Sequence, residues 1–166
     1  MPATYEKIAT TTLGSAASSI SFGSISSAYT DLRLSVVLKN VSSDNPILRL
    51  NSDTGNNYSR KTITGTGSAA NSSNSTSVGN IILGYNFHGA SAQFAFYTID
   101  LFAYTGSTFK TLLFTSSEDE NGSGNVIRGV GLYRSTSVIS TITLSNFSGN
   151  NFATGTTATL YGILKA

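Results

Sequence analysis

The side chains that could perform catalysis are few and widely spaced in this sequence. His88 is the single histidine, and histidine is the residue type that exchanges a proton most readily near neutral pH. With this many serines, some serine lies near it by chance, and no G-x-S-x-G nucleophile turn occurs. We therefore interpret His88 as a turn or surface residue, and we predict no catalytic residue and no enzymatic activity.

The acidic residues are the second set of candidates for chemistry: Glu6, Asp31, Asp44, Asp53, Asp100, Glu118, Asp119 and Glu120. A glycosidase needs two carboxylates facing one bond, whereas most of these stand alone in predicted turns or on polar strand faces. Asp53-Thr54-Gly55 is similar to the triplet of aspartic proteases, which work with two copies, but a second copy is absent here. We interpret it as a turn in which Asp53 bonds the backbone two residues on and Gly55 takes positive φ.

One acidic cluster, Glu118-Asp119-Glu120-Asn121 with Gly122 and Gly124 after it, could offer oxygen ligands to calcium. Its spacing is not that of an EF-hand, whose ligands fall at alternate positions around a central glycine. A solvated acidic loop is the favoured interpretation. We predict no metal ligand and no cofactor-binding residue.

Four tyrosines are candidate platforms for sugar rings: Tyr58, Tyr85, Tyr104 and Tyr133. Aromatic rings on a polar β surface can stack against carbohydrate, but tryptophan, usually the strongest partner, is absent. A role in the core or in subunit contacts is the favoured interpretation for most of these tyrosines.

The composition excludes several classes of partner. Ten basic residues are scattered along the chain and only Arg60 and Lys61 are adjacent, so no basic stripe can track a nucleic-acid backbone. No window approaches a membrane span, the amino end lacks the pattern of a signal peptide, and there is no cysteine. Only 11% of the residues are charged, so solubility depends on 27 Ser, 22 Thr and 14 Asn.

Hydrophobic alternation with a period of two residues predicts an all-β fold. It is clearest from Asp31 to Lys39, where Leu32, Leu34, Val36 and Leu38 share one face. Ten such runs are separated by turn-forming clusters, and they cover residues 18–22, 31–39, 47–51, 59–64, 79–85, 93–104, 109–115, 126–133, 138–144 and 156–164. This spacing is typical of an antiparallel sandwich or barrel. We predict an antiparallel β-sandwich in a single domain, 1–166, with an extended N-terminal arm over residues 1–15 and a long polar loop over residues 65–80.

The run from Gln93 to Tyr104 is apolar on both faces. One face carries Phe94, Phe96 and Phe102, and the other carries Tyr97, Ile99 and Leu101. A two-sheet sandwich buries only the inner face of a strand, so the second face needs a covering loop or a neighbouring subunit. Both alternatives remain open at this point.

Five segments together resemble a group of small structural proteins of tailed bacteriophages: residues 5–15 (YEKIATTTLGS), 29–32 (YTDL), 48–58 (LRLNSDTGNNY), 130–135 (VGLYRS) and 160–163 (LYGI). The resemblance covers nearly the whole chain, and its motifs are specific as a set but weak singly. The family pattern has an aromatic residue and glycine in the turn where this chain has Ser52, which implies an altered turn.

The resemblance implies a jelly-roll-like β-sandwich located on the virion, assembled in the host cytoplasm. The expected function is a capsid decoration (cement) protein that binds the major capsid protein on the outer surface and reinforces junctions between capsid subunits, as a homotrimer. The alternative is a tail or fibre-tip adhesin that recognises host glycans. No catalytic residue comes with the resemblance, and neither nucleic acid nor membrane is an expected partner.

Overall fold

The computed structural model describes residues 5–84, 93–119, 121 and 123–164. Within them the chain forms twelve β-strands: β1 (Tyr5–Thr12), β2 (Ser19–Phe22), β3 (Asp31–Leu38), β4 (Pro46–Leu50), β5 (Tyr58–Gly65), β6 (Ala70–Val78), β7 (Ile81–Ile82), β8 (Ala95–Leu101), β9 (Lys110–Asp119), β10 (Gly124–Tyr133), β11 (Ile142–Asn146) and β12 (Thr157–Ile163). Each of the ten runs predicted from alternation overlaps one of these strands.

The strands form two antiparallel sheets that share one core. The eight-stranded sheet has the order β1-β12-β3-β8-β9-β10-β5-β6, and the four-stranded sheet has the order β2-β11-β4-β7. From β2 to β11 the chain crosses between the sheets in the order of a jelly roll, with a three-stranded meander, β8 to β10, where a jelly roll has one strand. The predicted jelly-roll-like, antiparallel β-sandwich is therefore confirmed.

The core lies between the sheets and is built by the alternation seen in the sequence. In β3 the side chains of Leu32, Leu34, Val36 and Leu38 are all buried, as predicted, while the residues between them are not. They pack with inward residues of the four-stranded sheet, such as Leu48 on β4, in one hydrophobic cluster. Burial of this apolar surface is the main contribution that stabilises the sandwich.

The polar segment 65–80, predicted to be a long loop, is instead largely strand. Residues 70–78 form β6, which pairs with β5 at the end of the eight-stranded sheet. Its side chains are almost all exposed, so the strand is held by backbone hydrogen bonds and buries little apolar surface. The alternation rule could not detect β6, because an edge strand of this kind has no apolar face.

The amino end, predicted as an extended arm, is extended and belongs to a sheet. Residues 5–12 form β1, which pairs with β12 and makes the opposite edge of the same sheet, while residues 1–4 lie outside the described part of the chain. Threonines of the two strands bond each other, with 3.0 Å between the hydroxyl oxygens of Thr10 and Thr159. No helix in the described residues has the length and apolarity needed to cross a membrane.

Candidate functional site

The outer face of the eight-stranded sheet, which is turned away from the four-stranded sheet, carries an unusual share of exposed apolar side chains. Val37, Phe96, Leu113, Val126, Val130 and Ile63 all lie on it. The three phenylalanines of the 93–104 run, Phe94, Phe96 and Phe102, are 44, 47 and 41% exposed, while Tyr97, Ile99 and Leu101 are buried. The described residues therefore leave this second face open. Residues 85–92, just before this run, lie outside the described part of the chain, so a covering loop and a neighbouring subunit both stay predictions.

A shallow groove of about 580 Å³ lies on the outer face, where β9, β10, β5 and β6 run side by side. Two rows of directly opposed residues line it: Leu113, Val130, Lys61 and Asn74 in one, and Arg128, Ile63 and Ser72 in the other. Its floor is aliphatic, and its rim carries hydroxyls, an amide and two cations.

The two cations lie close together because of the strand register. Lys61 is opposite Val130 and Arg128 is opposite Ile63, so the cations are diagonal neighbours on adjacent strands, with Cα atoms roughly 7–8 Å apart. No acidic residue among those described lines the groove, and the Asp100 carboxylate on the same face is bonded to Arg33 at 2.5 Å. The groove is therefore a site of positive potential above an apolar floor.

The candidate sugar platforms are wrong for the three tyrosines that the structure describes. Tyr58, Tyr104 and Tyr133 are all buried, and Tyr85 lies outside the described residues. Tyr104 donates its hydroxyl to the backbone oxygen of Ser26, so it closes a loop against the core. These rings fill the interior, which agrees with the core role favoured from the sequence.

The acidic cluster does not form a calcium site in the described residues. Glu118 and Asp119 are neighbours in β9, so their side chains point to opposite faces: Glu118 is buried and Asp119 is exposed. Glu120 and His88 lie outside the described residues. Across the described ranges no three His, Cys, Asp or Glu side chains come together as a metal site.

Asp53 is the centre of a turn that is tied to the core. Its Oδ1 accepts a hydrogen bond from the Gly55 N–H at 2.7 Å, as predicted, and its Oδ2 accepts from the Asn57 amide at 2.8 Å and the Tyr133 hydroxyl at 3.0 Å. The Asn57 bond above all, with help from Gly55 and Tyr133, holds the pKa of Asp53 below its ordinary value. Burial raises the pKa of Tyr133, which keeps its phenol a donor.

Positive φ in this turn occurs at Asn51 (52°) and Ser52 (56°), and the prediction that Gly55 adopts it is wrong. The Asp53 N–H donates to the Leu50 carbonyl at 3.0 Å, so Asn51 and Ser52 are the central residues of a type I′ turn. The Asn51 side chain also bonds the backbone of residues 138 and 140. The motif at 48–58 is therefore fixed in place by hydrogen bonds to other parts of the fold.

Other motifs that carried the resemblance also contact each other in pairs. The Arg134 N–H donates to the Asn57 carbonyl at 2.8 Å, which joins segment 130–135 to segment 48–58. A Cβ atom at Gly162 would lie 2.3 Å from the ring of Tyr29, so the glycine of segment 160–163 makes room for the tyrosine of segment 29–32. These contacts between the motifs hold the fold together.

Sequence reasoning missed the groove. In the sequence, Lys61 is distinguished only by its neighbour Arg60. In the structure Arg60 is buried and Lys61 is exposed, because successive residues of β5 point to opposite faces. Arg128 is 67 positions after Lys61 and stands alone in the sequence. The signal for the groove in the sequence is that Ile63 and Val130 take outward positions of two predicted strands that also carry cations.

Comparison with known proteins does not assign this chain to a family. No known protein family and no curated protein matches this sequence. Among solved structures, a galectin of Caenorhabditis elegans, LEC-6, is similar over 94% of this chain and 96% of that chain, with 10% sequence identity and a TM-score of 0.35. A TM-score this low does not establish a shared fold, so the topology above stands on the strand order of this chain.

Proposed function

We propose that this chain is a structural protein of a bacteriophage particle, a decoration (cement) protein that binds the major capsid protein on the outer surface and reinforces junctions between capsid subunits. The observation that carries the proposal is the outer face, where large apolar side chains are exposed on a regular eight-stranded sheet. Ile63 and Val126 are 66% and 64% exposed, which costs free energy unless another surface covers them.

The chemistry of this face suits attachment to a large assembly. Between the apolar side chains stand uncharged hydroxyls such as Ser35, Thr98 and Thr115, which lie opposite one another on β3, β8 and β9. Contacts of this kind are weakened by salt less than ionic contacts are, because screening acts on charges. A protein with such a face can remain bound while the ionic strength around the particle changes.

Binding of this kind stabilises a capsid by mass action. A protein that binds only the assembled lattice adds RT ln(1 + [L]/Kd) of stability per site, and attachment through several copies raises the effective concentration of each. We infer a homotrimer for this reason, since three linked copies match a three-fold junction of a capsid lattice. Size-exclusion chromatography with light scattering tests the trimer separately.

The proposal is tested by sedimentation of the purified protein with its own expanded capsids. We expect saturable co-sedimentation, weakened by Phe96→Asp on the outer face. Thr143→Asp is the matched control, because Thr143 lies on β11 in the other sheet, where its hydroxyl bonds Ser21 at 3.0 Å. A wild-type protein that stays in the supernatant at saturating capsid concentration contradicts the proposal.

The alternative, a tail or fibre-tip adhesin for host glycans, has less support from the described residues. Three of its four candidate platforms are buried, and no aromatic residue lines the groove. A glycan array separates the two functions. Binding of one defined sugar, abolished by a substitution in the groove and accompanied by no capsid binding, would replace the decoration function by adhesion.

A further inference from the structure

We infer that the groove on the outer face binds an acidic, aliphatic segment of a partner polypeptide, with Lys61 and Arg128 pairing with its carboxylates. The inference deepens the proposed function, because it states where the capsid protein is contacted and what chemistry that contact has. It is carried by three features: two neighbouring cations, an exposed aliphatic floor, and a rim of hydrogen-bonding groups without aromatic rings.

The close spacing of Lys61 and Arg128 favours an anionic partner. Lys61 and Arg128 are both exposed and are diagonal neighbours, and like charges at this spacing repel each other. In the described part of the chain, the acidic residues of the outer face lie elsewhere: Asp100 is three strands from Lys61 and bonded to Arg33, and Asp31 lies one strand further away on β3. Asp119 is four positions from Thr115, roughly 13 Å along β9. An incoming carboxylate would therefore relieve the repulsion and make charge-assisted hydrogen bonds.

The floor of the groove selects against small inorganic anions and against sugars. Aliphatic surface lies directly beside the cations and comes from Ile63, Val130 and Leu113. This surface stabilises a complex only if an apolar group of the ligand covers it. Sugar recognition usually relies on an aromatic ring, and none from residues 5–84, 93–119, 121 or 123–164 lines this groove. A nucleic-acid backbone would need a longer basic stripe than two residues.

A polypeptide segment satisfies all three features together. Aspartate or glutamate side chains can reach Lys61 and Arg128, while leucine, isoleucine or valine beside them cover Ile63 and Val130. The Asn74 amide and the Ser72 hydroxyl lie opposite Lys61 and Ile63, where they can bond the backbone of the segment. Such a segment matches the groove in charge, in apolar surface and in hydrogen bonding.

The first test measures capsid affinity by sedimentation with charge-reversal variants. We expect Lys61→Glu and Arg128→Glu each to weaken binding by roughly tenfold or more, and to reduce its dependence on salt. Lys7→Glu is the matched control: Lys7 is an exposed lysine on the same face, in β1 at the far edge, and the change in net charge is equal. Its affinity should stay within about twofold of wild type.

The outcomes distinguish the two proposals. Capsid binding by the wild type that is unchanged in Lys61→Glu and Arg128→Glu overturns the groove inference and leaves the decoration function standing. Absence of capsid binding by the wild type overturns the decoration function. The groove is then judged by a second measurement that needs no capsid.

That measurement is an NMR titration of the isotope-labelled protein with a capped hexapeptide of alternating glutamate and leucine. We expect shifts confined to amides of β5, β6, β9 and β10, much smaller shifts with alternating glutamine and leucine, and loss of the shifts in Arg128→Glu. Equal shifts with both peptides, or shifts with an oligouronate and none with the acidic peptide, overturn the inference.

Discussion

The phenol of Tyr133 donates a hydrogen bond to the carboxylate of Asp53, with 3.0 Å between the two oxygens. The Tyr133 ring also stacks on Tyr58, with centroids 4.8 Å apart and planes inclined by 18°. The Tyr58 hydroxyl accepts from the Leu50 N–H at 3.0 Å and donates to the Leu50 carbonyl at 3.1 Å. Two stacked tyrosines thus tie the 48–58 turn to β4, β5 and β10, across both sheets.

Tyr133→Phe tests how much the hydrogen bond between Tyr133 and Asp53 stabilises the fold. The variant keeps the ring and its stacking but removes the donor to Asp53, so we expect the free energy of unfolding to fall by about 1–2 kcal/mol. Urea denaturation followed by circular dichroism measures it. Tyr161→Phe is the control, because Tyr161 lies on the outer face and contacts Tyr5 edge to face. An equal loss in free energy of unfolding in both variants would show that the hydrogen bond to Asp53 does not itself stabilise the fold.

Ser52→Gly should stabilise the protein. Asn51 and Ser52 are the central residues of a type I′ turn, in which both have positive φ and glycine is favoured at the second position. Ser52 has a φ of 56°, which costs a residue with a Cβ atom roughly 1 kcal/mol relative to glycine. We expect a midpoint of thermal unfolding a few degrees higher. Ser21→Gly, within strand β2, should instead lower it.

Gly162→Ala should destabilise the fold through a specific clash. A methyl group at this position meets the Tyr29 ring at 2.3 Å, so the ring must move, and the expected loss is about 1–3 kcal/mol. Gly65→Ala is the control in another strand, since nothing lies within 4 Å of its added methyl group.

The pairing is checked by the double variant Gly162→Ala with Tyr29→Leu. Because a smaller side chain at position 29 leaves room for the methyl group, the two substitutions together should cost less than the sum of their separate effects. Strict additivity of the two losses would argue against the contact.

Asp44 should make the stability depend on acid pH. Burial opposes ionisation of this carboxyl, but the N–H groups of Ser148, Asn45 and Asn150 outweigh it and hold the pKa of Asp44 below its ordinary value. A carboxyl with a lowered folded-state pKa contributes stability that is present above the unfolded-state value of 3.8 and is lost as pH falls through the folded-state value.

Asp44→Asn should therefore be less stable than the wild type at pH 7, and the difference should shrink as the pH falls below the unfolded-state pKa of 3.8. Denaturant titrations at several pH values measure it, with the exposed Asp119→Asn as control. A difference that does not change with pH would show that the ionised form of Asp44 is not what matters.

The groove shows why part of the site could not be predicted. The alternation in β5 and β10 predicts which side chains point outward, including Lys61 and Arg128. It does not predict that β10 lies between β9 and β5 with Lys61 opposite Val130, because that register is fixed by contacts with partners far along the chain. The burial of the tyrosines could not be predicted either, because a tyrosine in a strand is compatible with both the core and the surface.

The sequence by itself determined the fold class and much of the core. Period-two alternation in β3, turn-forming clusters between runs and an excess of hydroxyl residues indicate an antiparallel sandwich or barrel, because such strands bury one face and solvate the other. Tertiary structure alone decided that β12 lies beside β3, that polar residues 70–78 become a strand, and that two distant cations meet above an aliphatic floor. Strand pairing joins residues that are remote in sequence, and a local pattern carries no information about its partner.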